Sequence, residues 1–459
     1  MRGRIIICAA FLAALLIRES ASSRAAAILS ATPVAIIRHD NVPVHARADS
    51  KSRVLTLLVE QSQVEVLGTK GPWARVKIWD SVRGWVDKSQ LFYGGPWKSV
   101  STYHAPEVHY HVQAHGALPI RARAVTTAQV ALFSRPGGPR RGIVGTGRSM
   151  NVSAWQQDAV GKIWYRVGAS WALGDDVQFQ TTDPGTAQAH GRPLWTVVAG
   201  KGMWLTLGLF ATGDADTLAR AAEADGITHM YVESAISPLG FHGEKSVGRL
   251  IEAAHKRHIA VIAWVYPYLY DVASDVDLTR RVAAYRTPSG QRFDGMAADL
   301  EQNVQLWNVR AYSQLVRAYL GTGYLLVGVP YPPQSFAEYP FAELARSYNV
   351  IAPMDYWHQT QSANGLDYGH MQYGYDYARR YASDSVTDIR RVSGHVPVSP
   401  IGQTFDDFGR LEMGPNAPGP EEIRGFLDGS KASGAIGASF FQWMTTTDAE
   451  WHAIRDFRF

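Results

Sequence analysis

The chain has 459 residues, 46% of them hydrophobic and 19% charged, with one cysteine and a formal net charge of +4. At this length more than one domain is expected. So small a charge gives no electrostatic case for nucleic acid, and a single cysteine excludes a disulfide framework.

Arg2 and Arg4, an apolar run from Ile5 to Ile17, and small residues up to Ala27 read as a secretory signal over residues 1–27. The run is too short to span a bilayer comfortably, although left uncleaved it would serve as an anchor. Cleavage removes four arginines and Glu19, taking +4 down to +1. It also removes Cys8, so no thiol is left for catalysis. The mature protein is expected to be exported, secreted or held in the cell envelope, without a membrane span.

Residues 32–93 are short β-type runs broken by turn residues: Val54–Leu58, Val64–Leu67, Trp73–Ile78 and Gly84–Val86. Alternation at Val64 and Val66, and at Ala74, Val76 and Ile78, predicts half-buried strands. Strands this short at this spacing suggest a small all-β barrel. A weaker copy of the order runs over residues 118–182, with Val130–Phe133, Met150–Trp155, Ile163–Val167 and Trp171-Ala172. Between the copies, residues 94–117 form a linker carrying His104, His109, His111 and His115. An H-x-H pair can ligate zinc, but no cysteine or carboxylate cluster completes a set, so no metal is expected.

With Val42-Pro43-Val44, Val64–Leu67, Pro72-Trp73-Ala74-Arg75-Val76 and Gly84-Trp85-Val86, the first region resembles a bacterial SH3-type domain. The second reads as a diverged SH3-like repeat. In exported bacterial proteins this resemblance implies cell-wall targeting, with Trp73 and Trp85 as core residues.

After a linker at residues 183–200, residues 201–459 alternate apolar strands with helical segments. Strands are expected at Gly202–Leu207, His229–Ser234, Ala260–Tyr266, Gly295–Glu301, Tyr324–Val329, Val350–Tyr356, Pro397–Gln403 and Gly437–Met444. Asp214 opens a helix that stops at Gly226, and Ser246 opens one ending at His258. Eight such units predict a (β/α)8 TIM barrel. A doubly wound open sheet is the alternative, but no Gly-rich phosphate loop follows the first strand, so no nucleotide or other cofactor is expected.

Catalytic groups of such barrels sit at the C-terminal strand ends. Those ends carry Glu233, Trp264, Tyr266, Asp299, Glu301, Asp355, Tyr356, Trp357, Gln403, Gln442 and Trp443. Asp299 and Glu301, two apart in a strand, project from one face. Acids held that close titrate as a pair, and one of them can stay protonated. Carboxylates ringed by tryptophan and tyrosine suit a carbohydrate.

The run Asp294-Gly295-Met296-Ala297-Ala298-Asp299-Leu300-Glu301, with Met354-Asp355-Tyr356, resembles glycoside hydrolase family 18, the chitinase-like barrels. The resemblance implies that Glu301 is the general acid. Asp299 would orient a substrate N-acetyl group that itself attacks the anomeric carbon, Tyr356 would bond the same group, and Trp443 would floor the cleaved sugar. Two positions depart from the family pattern: Ala297 replaces its innermost Asp, and Trp357 follows Tyr356 where Asp is common. The expected function is an exported glycosidase acting on N-acetylglucosamine-containing polymer, peptidoglycan before chitin. One alternative is a non-catalytic wall- or glycan-binding protein on a degenerate barrel. Another is a hydrolase pairing Glu301 with Glu233 or Asp355 across the mouth.

Overall fold

The structure, a computed structural model, describes residues 34–38, 42–58, 63–78, 82–92, 112, 114–206, 214–237, 240–241, 244–358, 373–405 and 417–459. The signal at 1–27 and His104, His109 and His111 lie outside them.

Seven strands open the described chain: Val34–Ile37, Val42–His45, Val54–Leu58, Gln63–Lys70, Trp73–Ile78, Val82–Asp87 and Leu91–Phe92. They form an antiparallel sheet in the spatial order third, second, sixth, fifth, fourth, first, seventh. Alternation turns Val42, Val44, Val64, Val66, Ala74, Val76 and Val86 into one core. Trp73 and Trp85 fall on the opposite faces of their strands and are only half-buried, contrary to expectation. The Trp73 ring instead stands edge-on to His45, 5.3 Å away.

A second antiparallel sheet comprises Leu118–Thr126, Val130–Phe133, Arg140–Val144, Ser149–Gln157, Ile163–Val167, Ser170–Leu173 and Val177–Phe179. Its spatial order repeats that of the first sheet position by position. A one-turn 3-10 helix also precedes the seventh strand in both, at Lys88–Gln90 and Gly174–Asp176. The second core, however, is not closed on itself. Trp155, Tyr165 and Phe179 join the apolar layer of the domain that follows.

That domain is a curled parallel sheet with the arrangement of a TIM barrel. Its strands are Gly200–Leu205, His229–Ile236, Ala260–Tyr266, Gly295–Asp299, Leu326–Val329, Val350–Ile351 with Met354–Asp355, Ile401–Gln403 and Gly437–Phe441. The sixth is one stretch interrupted at Ala352-Pro353. Its first half pairs with the fifth strand and its second half with the seventh, while the eighth pairs with the first. The pairing therefore runs full circle.

A helix follows each strand: α1 Ala215–Ala224, α2 Glu244–His255, α3 Val272–Ala284, α4 Leu306–Leu320, α5 Phe341–Leu344, α6 Tyr375–Ser393, α7 Pro420–Ala432 and α8 Asp448–Asp456. The Asp214 carboxylate caps α1 by accepting from the Thr217 amide at 2.9 Å, and Gly226 leaves the helix at φ +69°. α2 begins two residues before Ser246, at Glu244.

Both faces of the sheet are dry, which is why its strands read as near-continuous apolar runs. Inside the ring lie Trp204, Tyr231, Ile262, Ala297, Val327, Val350, Met354, Ile401 and Phe441. Between ring and helices lies the larger layer.

Candidate active site

Along the fourth barrel strand, Met296 and Ala298 pack outward under the helices and Ala297 faces the ring interior. Asp299 follows on the interior face and Glu301 sits just past the strand end. Asp299 is 4% exposed, whereas Glu301 is half-buried. The indole N–H of Trp264, on the third strand, donates to Asp299 Oδ2 at 2.9 Å.

The other oxygen, Asp299 Oδ1, is buried with no hydrogen-bond partner among the described residues, and the Glu301 carboxyl is near enough for its charge to act on Asp299. Two carboxylates are both acceptors, so a hydrogen bond between them would need one to hold a proton. Burial first, then the charge of Glu301, push Asp299 well above the usual carboxylate range, and the Trp264 N–H pulls it partly back.

Tyrosines complete the surroundings. The Tyr266 hydroxyl accepts from Gln302 Nε2 at 3.1 Å. Burial, followed by the charges of Glu301 and Asp299, raises its pKa. Tyr356 is raised by burial and then by the charges of Asp299 and Glu301, so its hydroxyl keeps its proton. Its ring stands edge-on to Phe405, with centroids 5.1 Å apart, and Phe441 lies 6.0 Å away.

The structure thus brings together Asp299, Glu301, Trp264, Tyr266 and Tyr356. Glu233, buried at a bulge of the second strand, lies on the same strand face as the inward Tyr231.

Other expected residues are placed elsewhere. On the sixth strand Met354 and Tyr356 turn toward the ring interior, so Asp355 and Trp357 turn outward. Asp355 is fully buried and accepts from Ser385 of α6 at 2.7 Å. Trp357 is stacked on Phe426 of α7 and donates to Glu422 at 2.8 Å. Past the end of the eighth strand, Trp443 is buried in the outer layer, its ring 4.9 Å from Trp451 of α8. None of these three reaches the interior, and the aromatic that does so from the eighth strand is Phe441.

Gln403 spends its amide on the chain, donating to the Phe405 carbonyl at 2.8 Å and accepting from the His358 amide at 3.1 Å. Gln442 is buried, with no partner for its side-chain amide among the described residues. Asp294, first of the motif's acids, is structural. Its Oδ2 takes the Val261 amide at 2.7 Å and the His255 ring at 2.8 Å.

Sequence reasoning passed over Tyr331, Tyr339, Phe405 and Phe441. The Tyr339 hydroxyl donates to the Leu300 carbonyl at 2.9 Å, fixing the backbone between the two acids. Tyr331 and Tyr339 belong to the segment after the fifth strand, where no periodicity marks them. Phe441 was detectable as the last inward position of its strand.

Residues 40–91 match the family described as bacterial SH3 domain. None of the curated proteins matches the chain. Among solved structures, the spore cortex-lytic enzyme SleL of Bacillus cereus is similar at a TM-score of 0.42 and 10% identity, covering 57% of this chain and 74% of its own. A class V chitinase from Pseudomonas fluorescens Pf-5 gives 0.42 and 12%, covering 56% and 98%. A chitinase from Chromobacterium violaceum gives 0.41 and 12%, covering 56% and 98%. Residues 40–91 are thus a bacterial SH3 domain, and the barrel behind the second sheet is similar, at low identity, to chitinases and a spore cortex-lytic enzyme.

Proposed function

We propose that the protein is an exported glycosidase that cleaves N-acetylglucosamine-containing polymer, peptidoglycan before chitin, with Glu301 as general acid. The carrying observation is the acid pair itself: Asp299 buried on the interior face at the strand end, held by Trp264, with Glu301 just beyond it and burial and the Glu301 charge favouring a proton there. In this reading Glu301 protonates the glycosidic oxygen. Asp299, steadied by Trp264, orients the acetamido group whose carbonyl oxygen attacks the anomeric carbon, and Tyr356 donates to that carbonyl. No cofactor or metal takes part. The SH3 domain at 40–91, and the second sheet read as its diverged copy, would hold the enzyme on the wall after export by the signal at 1–27.

Replacing Glu301 by Gln keeps shape and removes the transferable proton. Release of reducing ends from purified peptidoglycan or N-acetylglucosamine oligomers should fall at least about 100-fold. Equal release by the variant rules out Glu301 as the acid.

A second reading, a glycan-binding protein without turnover, draws on Ala297. This position holds a fully buried methyl inside the ring where related motifs carry an acid. Wall binding by wild type with no product from either protein favours it.

A further inference from the structure

At the strand end that carries the acid pair, the seam between the second small sheet and the barrel holds a cleft of about 340 Å3. That is at the small end of the range for ligand sites, about 300–1,000 Å3. Lys162 and Asp175 of the sheet line one wall. Tyr270, from the loop after the third barrel strand, and Asn303, Trp307 and Asn308 line the other.

Two aromatic side chains stand unusually open here, Trp307 at 48% and Tyr270 at 41% exposed. Large aromatics normally bury most of their surface, so a pair left open on one cleft is informative. The polar lining is equally specific: three amides, Asn303, Gln305 and Asn308, with a cation and a carboxylate whose partial burial raises its pKa. Flat apolar faces beside short amide donors and acceptors match a pyranose ring, which offers C–H faces and hydroxyls together.

The cleft is also built and held. Asn303 Nδ2 donates to the Leu269 carbonyl at 2.8 Å, tying the two barrel loops, and Asn308 Nδ2 donates back to the Asn303 carbonyl at 3.2 Å. The sheet is fixed to the barrel by Trp155 Nε1 donating to the Tyr319 hydroxyl at 2.8 Å. Arg310 donates to the Asp175 carbonyl at 2.6 Å, and Gln314 Nε2 to the Tyr165 hydroxyl at 2.6 Å. A wall so pinned need not be ordered when a ligand arrives. Asn303 lies two residues beyond Glu301, in the same loop and at the same end of the barrel.

We propose that this cleft is a remote sugar-binding subsite, in which Trp307 and Tyr270 receive a unit of the glycan chain beyond the one that meets Glu301. It rests on the glycan reading of the acid pair and adds that the second small sheet forms part of the substrate groove.

The test measures equilibrium binding of N-acetylglucosamine dimer and hexamer to the full chain carrying Glu301→Gln, with and without Trp307→Ala. Hexamer affinity should fall about five- to tenfold on loss of the ring, with dimer affinity unchanged. Equal hexamer affinity overturns the subsite, as does an equal loss for both lengths. If Trp307→Ala lowers the melting temperature, Tyr270→Ala on the same cleft gives the same comparison. Turnover by the unsubstituted chain is scored separately. Hexamer-selective loss without any turnover keeps the subsite and removes the hydrolase reading, whereas no hexamer binding at all removes both.

Discussion

One indole N–H bears directly on how the acid pair titrates. By donating to Asp299, Trp264 favours the charged form of a carboxyl that burial and Glu301 push toward neutrality. Trp264→Phe removes the donor and keeps an aromatic ring, so each ionisation of the pair becomes harder. Both limbs of the pH–rate profile on N-acetylglucosamine oligomers should then move to higher pH. An unmoved profile would show that the pair does not govern the rate.

At this same scale the sequence was readable where spacing alone decides. Asp299 and Glu301 are two apart, and no register changes the face they share. Asp355, Tyr356 and Trp357 are consecutive, so alternation sends at most Tyr356 or its two neighbours inward. Which of these occurs depends on how the sixth strand closes the ring, and that is written in long-range pairing.

Helices α6 and α7 meet more closely than side chains allow. A Cβ on Gly425 would stand 2.1 Å from the Tyr375 carbonyl oxygen, and one on Gly429 2.1 Å from that of Arg379. Both pairs are four residues apart, the spacing of one helix ridge. Gly425→Ala must therefore push backbone against backbone. Urea unfolding should show a loss of about 1–3 kcal/mol, while alanine at the exposed Gly323, with open space around its Cβ position, stays near neutral. Equal stability of the two variants would mean that the helices separate freely.

Elements were legible in kind and blurred at their edges. The third strand, Ala260–Tyr266, is as read, and the eighth ends at Phe441 instead of Met444. Hydrogen bonding among Thr404, Gln442, Thr445 and Thr446 takes over there. A threonine-rich turn that bonds its own backbone halts a strand that hydrophobicity alone would extend.

Across the whole molecule, the two small sheets differ in standing. Both were foreseen as wall-binding modules separable from the barrel. The first has a core of its own, while Trp155, Tyr165 and Phe179 of the second belong to the barrel's outer layer. Nothing in the local pattern of the second copy told that its apolar face meets helices. Truncation at residue 93 should therefore leave the melting temperature of the barrel unchanged and lower binding to isolated wall. Truncation at residue 182 strips Trp155, Tyr165 and Phe179 from α4 and its neighbours, and should lower the melting temperature or yield insoluble protein. Equal melting of the two truncations would refute a shared core.

The two sheets are wound alike, yet one closes its core on itself and the other is fused to a neighbour. The fused sheet spends its apolar face on the barrel, so a ligand can meet it along its rim, where the cleft lies. The first sheet, whose core is its own among the described residues, has its outer face free of that constraint.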